Sequence, residues 1–251
     1  MDEDKLFRAR MKELAQASFR QNRYTFSHFL SVAELTELYS MASLLEYVDY
    51  DTFGGNPGCE RQMVRFGSER MFGYEEPFPI SVLRIEPLIN KFAEELGHRD
   101  YLGAVMNLGM ERDVIGDILI RDKSAYMFCM DNIAGYIQAN LEKIRHTSVK
   151  VFPEKGEIDA LSPRLEEMEI LVSSPRFDAV IAAACKLSRN AALQLFRDKK
   201  VVLQGRICEN NSMILKEEDV FSVRGYGKFV YKGCGNQTRK GRLYVRLEQY
   251  R

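Results

Sequence analysis

The chain has 251 residues, 45% of them hydrophobic and 29% charged, with 36 Lys and Arg balanced by 36 Asp and Glu. That length favours more than one domain, and this share of apolar residues excludes a disordered chain. The longest apolar run, Ala179 to Cys185, falls far short of the roughly 20 residues that a membrane-spanning helix needs.

The first residues, Met1-Asp2-Glu3-Asp4, lack the basic start and apolar stretch of an export signal, so a cytoplasmic chain is expected. The five cysteines are scattered and odd in number, which fits reduced thiols better than a disulfide framework or a zinc site. Lys5 to Gln21 reads as a helix carrying Leu6, Met11 and Leu14. A second helix opens on a capping box, Ser31 with Glu34, in which hydroxyl and carboxylate satisfy the first unpaired backbone N–H groups. Leu35, Leu38, Ala42 and Leu45 follow at helical spacing, and Asp51 to Gly58 is dense in turn formers. Residues 1–77 are thus expected to form a mainly helical domain.

From Phe78 short apolar strands alternate with helices. Ile80 to Ile85 reads as a strand, Glu94 to Asn107 as largely helical, and Asp117 to Ile120 and Ala125 to Met130 as strands on either side of Arg121-Asp122-Lys123. Asn132 to Ile144 places Ile133, Tyr136, Ile137, Leu141 and Ile144 on one helical face, and Val149 to Phe152 closes the unit. The order β-α-β-β-α-β is the ferredoxin-like (RRM-like) arrangement, which hosts many RNA-binding domains and unrelated functions as well. A further strand with Met168, Ile170 and Val172 leads out of this domain, residues 78–172, into the last one, residues 173–251.

In the last domain Ser174-Pro175 offers a helix cap followed by proline at the first helical position, and Phe177, Val180, Ile181 and Ala184 form its apolar stripe. Ser188 caps a second helix that Asp198-Lys199-Lys200 ends. Two β-rich runs then flank Gln204-Gly205, a pair able to supply the positive φ of a tight hairpin.

The zero net charge conceals a split. Val172 to Arg251 holds 16 Lys and Arg against 7 Asp and Glu, a net of +9, which leaves −9 on residues 1–171. From Phe221 onward eight basic residues, Arg242 among them, face the single acid Glu248. A polyanion is the natural partner of such a surface, and a solvated basic face is the plain alternative. Arg176, Arg189, Lys199, Lys200, Arg206, Arg224 and Lys228 all fall within this one small module, which favours RNA. Arg224 to Tyr231 (RGYGKFVY) nearly matches the glycine-aromatic strand of RNA-recognition domains, but Lys228 breaks the alternation, leaving Tyr226 as the candidate for base stacking. No catalytic or metal constellation is legible. The three histidines, His28, His98 and His146, lie far apart, and neither a phosphate-cradling G-x-x-x-x-G-K-[ST] loop nor G-x-G-x-x-G is present.

Pro175 to Lys228, through Arg176-Phe177-Asp178, Leu187-Ser188-Arg189, Val201-x-x-Gln-Gly205 and Asp219 to Lys228, resembles the S4-type αL RNA-binding domain. His98-Arg99-Asp100 to Asn107-Leu-Gly109, with Arg112 and Ile115-Gly116-Asp117, resembles the middle domain of the YlmH family, and Gly54-Gly55 and Glu60-Arg61 match that family's amino-terminal segment. The resemblance implies an α+β chain with an αL module at its carboxyl end. It also implies a bacterial, non-catalytic, monomeric RNA-binding protein, without cofactor, on the large ribosomal subunit. There it would contact 23S rRNA and peptidyl-tRNA in ribosome-associated quality control, together with a factor that adds carboxyl-terminal tails to stalled chains. Carried over by position, Arg176, Ser188, Arg189, Asn190, Lys199, Lys200, Arg206, Arg224, Tyr226 and Lys228 face RNA, and His98, Arg99, Asn107, Arg112 and Asp117 mark the middle-domain motif, where a structural role is at least as well founded. Two other readings stay open: a relative of RNA-modifying enzymes, which often carry αL modules, and an adaptor linked to cell division that docks through the acidic amino-terminal part.

Overall fold

The structure, a computed structural model, describes residues 2–154, 165–238 and 241–250. The chain divides into two compact units, residues 1–162 and 163–251.

The first unit begins with α1 (Asp2–Gln21), which buries Met11 and Ala15 at i, i+4 and packs Phe7 and Leu14 against the same core, while Leu6 is exposed, so the apolar face starts at Phe7 and not at Leu6. Next come β1 (Thr25–Phe26) and α2 (Val32–Ser40). At α2 the expected box forms, with Glu34 N–H donating to Ser31 Oγ at 3.3 Å and Ser31 N–H to the Glu34 carboxylate at 2.7 Å. The short strands β2 (Tyr50–Phe53) and β3 (Met63–Phe66) pair with β1 in a three-stranded antiparallel sheet ordered β1-β3-β2, followed by the single turn α3 (Glu69–Phe72). This sheet was not expected, and it adds to helices that still hold most of the regular structure of residues 1–77. Its strands of two to four residues are too short to show an alternating pattern.

The unit continues through β4 (Ile80–Pro87), α4 (His98–Met106), β5 (Ile115–Arg121), β6 (Ser124–Met130), α5 (Asp131–Asn140), β7 (Lys143–Ile144) and β8 (Thr147–Glu154). The sheet runs β5-β6-β4-β8-β7 with every pairing antiparallel. Leu83, Ile85, Met127, Cys129, Val149 and Val151 point to one face, against Tyr101 and Val105 of α4 and Ile137 of α5. On the opposite face Phe128 and Tyr126 are buried with Phe29, Cys59 and Met63 of the amino-terminal part. Two expected helices are shorter than their patterns: α4 starts only at His98, and α5 stops before Leu141, so Ile144 belongs to β7 and packs from a strand.

The second unit comprises β9 (Leu165–Val172), α6 (Phe177–Ala184), α7 (Arg189–Arg197), β10 (Val201–Leu203), β11 (Arg206–Ile207), β12 (Val220–Val223), β13 (Gly227–Gln237) and β14 (Leu243–Tyr250). One antiparallel sheet links them in the order β11-β10-β12-β13-β14-β9. Hence β9 does not close the middle domain. It pairs residue for residue with β14, from Val172↔Leu243 to Leu165↔Tyr250, because Met168, Ile170 and Val172 complete the core of this second sheet. At the centre of that core, Phe177 meets Phe196 and Phe221 edge-on at 5.3 and 5.1 Å, and Phe221 stacks on Phe229 at 5.2 Å. The β10-β11 hairpin turns on Gln204 and Gly205, both at positive φ (49° and 72°), as a two-residue primed turn requires. The start of α6 differs from expectation. Its N-cap is Arg176, and Ser174-Pro175 lie before the helix, with Ser174 Oγ accepting the Arg176 N–H at 3.4 Å.

Candidate nucleic-acid interface

At the amino-terminal ends of α6 and α7 a buried carboxylate organises two arginines. The first N–H groups of α6, on Phe177 and Asp178, donate to the carbonyls of Met213 and Asn211 at 2.9 and 3.0 Å, which anchors the helix to the 211–213 loop. Asp178, only 1% exposed, accepts from Arg176 Nε and Nη2 at 3.1 and 3.3 Å, from Arg189 Nε at 3.3 Å and from the Ala179 N–H at 2.9 Å. Burial alone would raise its carboxyl, but the Arg176 and Arg189 guanidiniums outweigh that and hold it below the usual carboxylate range. Each arginine keeps further N–H donors beyond those given to Asp178. Arg189 is the first residue of α7, where Ser188 caps the helix by accepting the Ala191 N–H at 3.2 Å, and Asn190 is exposed beside it.

The other end of α7 gathers a second group. Ala192, Leu195 and Phe196 bury one face of this helix of nine residues and so fix its ends, about 13 Å apart at 1.5 Å per residue. Lys199, at φ 55°, and Lys200 follow, their backbone N–H groups closing the helix on the Phe196 and Leu195 carbonyls at 3.0 and 2.9 Å. Both cations also sit favourably at a helix carboxyl end. The Lys200 ammonium lies 2.9 Å from Asp198, and the exposed pair Lys199 and Glu209 is separated by 3.8 Å. Because Val201 pairs with Val223, Arg224 comes beside Lys200, its N–H donating to the Lys200 carbonyl at 2.9 Å. Tyr226 is exposed in the following turn.

These placements bring Arg176, Ser188, Arg189 and Asn190 together at one end of α7, and Lys199, Lys200, Arg224 and Tyr226 at the other. Arg206 belongs to neither group, since it pairs with Leu203 at the far end of β10. Lys228 faces Ser222 across β12-β13, and its ammonium lies 5.0 Å from the centre of the Tyr250 ring. Phe229 and Tyr231 are buried, so the near-match to an aromatic RNA-recognition strand is core packing, and only Tyr226 is available for stacking. Sequence reasoning passed over Arg242 as an individual site residue. It lines a cavity with Arg189, and its signal was the run of basic residues after Phe221.

The middle-domain motif has a different role. Asp117, at the register shift in β5, accepts the backbone N–H groups of Glu60 and Arg61 at 2.6 and 3.2 Å. Arg61 donates to the Phe29 carbonyl at 2.7 Å and the Ile115 carbonyl at 3.1 Å, and Arg112 donates to the Ile115 and Gly116 carbonyls. Burial lowers Arg112 to about 10, with Arg61 adding to the fall and Asp117 opposing it; the guanidinium stays protonated at neutral pH. Burial and then Arg112 also lower His98, against a smaller effect of Asp117, so this imidazole is neutral at pH 7. Asn107 is the C-cap of α4, and Arg99 is exposed on its first turn. Arg112, Asp117 and Arg61 therefore staple the amino-terminal part onto the middle sheet.

Fold and site together define a two-unit α+β chain with a cationic helix-and-hairpin module at its carboxyl end. Residues 74–157, the stretch that holds β4 to β8, match the family model described as "Putative RNA-binding domain in YlmH". The "Ribosome-associated protein quality control protein P2" of Bacillus subtilis (strain 168) is 27% identical over 199 residues, covering 78% of this chain and 76% of that relative. A solved structure, "Cell division protein ylmH from Streptococcus pneumoniae", superposes with a TM-score of 0.50 at 24% identity, over 62% of this chain and 93% of its own, which speaks to the fold. These matches bear out the resemblance to YlmH proteins that the middle-domain motif carried, and the chain is similar to them.

Proposed function

We propose that this is a non-catalytic RNA-binding protein that acts on the large ribosomal subunit in ribosome-associated quality control, with α6 to β12 as an S4-type αL module and β4 to β8 as a ferredoxin-like domain. The observation that carries this reading is the cationic surface built on the two ends of α7, Arg176 with Arg189 at one and Lys199, Lys200 and Arg224 at the other. Such a spread of charge on rigid elements suits the phosphates of a structured RNA. The antiparallel order of the middle sheet, in which β4 lies between β6 and β8 with β5 outside β6, supports the ferredoxin-like assignment. The similarity to a ribosome-associated quality control protein and to an RNA-binding domain family supports an RNA partner on the ribosome. In this reading the second unit binds 23S rRNA and peptidyl-tRNA by phosphate contacts and shape, and the chain performs no chemistry.

The test is the salt dependence of binding to a large-subunit RNA fragment. Arg224→Ala and Lys200→Ala are each expected to weaken binding and to reduce the slope of log K against log salt by about 0.9. A slope unchanged in both variants would remove these residues from the RNA face.

A further inference from the structure

Beyond its cationic surface, the second unit has a small cavity of about 280 Å³ between α6, the end of β9 and Arg242. It is smaller than the roughly 300–1,000 Å³ pockets of drug-sized ligands, so it suits one planar ring system better than a longer ligand. Ala179 and Ala183 of α6 give it an apolar wall, and Leu171 stands at its rim with 43% of its surface exposed. Two of its lining residues, Arg189 and Arg242, are cationic and none is acidic. Arg242 is positioned by the ladder. Leu243 pairs with Val172, which sets Arg242 beside Ser173 at the sheet end, and its N–H donates to Thr238 Oγ1 at 3.1 Å. Arg189 is fixed by Asp178 through Nε and retains donors on its terminal nitrogens.

We propose that this cavity receives the base of a single unpaired nucleotide of a structured RNA, with Arg189 and Arg242 on the flanking phosphates. An apolar peptide side chain would offer no anion to Arg242 or to the terminal nitrogens of Arg189, whose Nε is already held by Asp178. A continuous duplex would offer them phosphates but keep its bases stacked inside. A bulged or looped-out nucleotide supplies both an apolar ring and two phosphodiesters. Ser173 is also a lining residue and carries a hydroxyl able to hydrogen-bond with a base. The proposal rests on the RNA-binding reading above and adds that the RNA must be locally unpaired.

The experiment uses the full chain and two RNA hairpins that differ only in one bulged 2-aminopurine nucleotide. The bulged hairpin is expected to bind roughly tenfold more tightly. Its emission is expected to rise on binding, because the base leaves a stack for a site without aromatic rings. Filling the cavity with Ala183→Leu, or independently with Ala182→Leu, should abolish both effects and leave affinity for the fully paired hairpin unchanged. Equal affinity for the two hairpins without an emission change, or full persistence of both effects in the filled variants, overturns the proposal and leaves the RNA-binding reading standing. Failure to bind either hairpin overturns that reading and the proposal with it.

Discussion

Asp178 holds together what the charge pattern alone treats as independent cations. Its carboxylate is buried, and it bridges a residue outside α6 to the first residue of α7. The basic character of Arg176 and Arg189 was legible from composition and motif, whereas the shared carboxylate was not: Arg176 precedes α6, Asp178 lies in α6 and Arg189 opens α7, so the contact depends on how two helices pack and not on spacing within one. Because the folded-state carboxyl is depressed, its stabilising effect is fully present above the usual carboxylate range, about pH 4, and is lost as pH falls through the lower folded value. Asp178→Asn is accordingly expected to cost about 1–3 kcal/mol near neutral pH and less in acid. Urea unfolding between pH 7 and pH 3 measures this, and a penalty independent of pH would show that the ion pairs contribute nothing. The same geometry makes Arg189→Ala ambiguous, since it weakens both the phosphate face and the support of a buried charge. Arg224 and Lys200 are the cleaner probes.

At the scale of elements, the capping box of α2, the Ser188 cap of α7 and the Gln204-Gly205 hairpin were readable because each depends on a few adjacent residues with one dominant geometry. The three-stranded amino-terminal sheet was not readable, because its pairings join segments far apart in sequence and its strands are short. The allegiance of β9 escaped for a related reason. An alternating strand declares a buried face but not the sheet that covers it. Gly116 in β5 marks a close approach of the amino-terminal part, since a Cβ there would stand 2.8 Å from Phe29 Cε1 and 3.0 Å from Phe128 Cβ. Gly116→Ala is therefore expected to destabilise the first unit by about 1–3 kcal/mol. Gly103→Ala, in the interior of α4 with open space around it, should stabilise by about 0.5–1 kcal/mol. Denaturant midpoints at constant m-value distinguish the two, and a common sign would contradict the packing described here.

Across the whole molecule, the charge split visible in the sequence coincides closely with the division into two units, the basic module lying in the second. The split made RNA legible as a partner class, and only the resemblance to known proteins narrowed it to the ribosome. In the first unit, the sheet face carrying Tyr126 and Phe128 is buried under Phe29 and its neighbours. Base stacking on those two aromatics, the usual use of such a sheet, is therefore closed. In the proposed function, the RNA contact therefore falls to the surface around α7. The direct test is co-sedimentation of the full chain with large ribosomal subunits, either empty or carrying peptidyl-tRNA. The wild-type chain is expected to pellet preferentially with the loaded subunits, and the Lys200→Ala, Arg224→Ala double variant to lose that preference. Equal pelleting with both kinds of subunit, unaffected by the substitutions, would contradict the assignment.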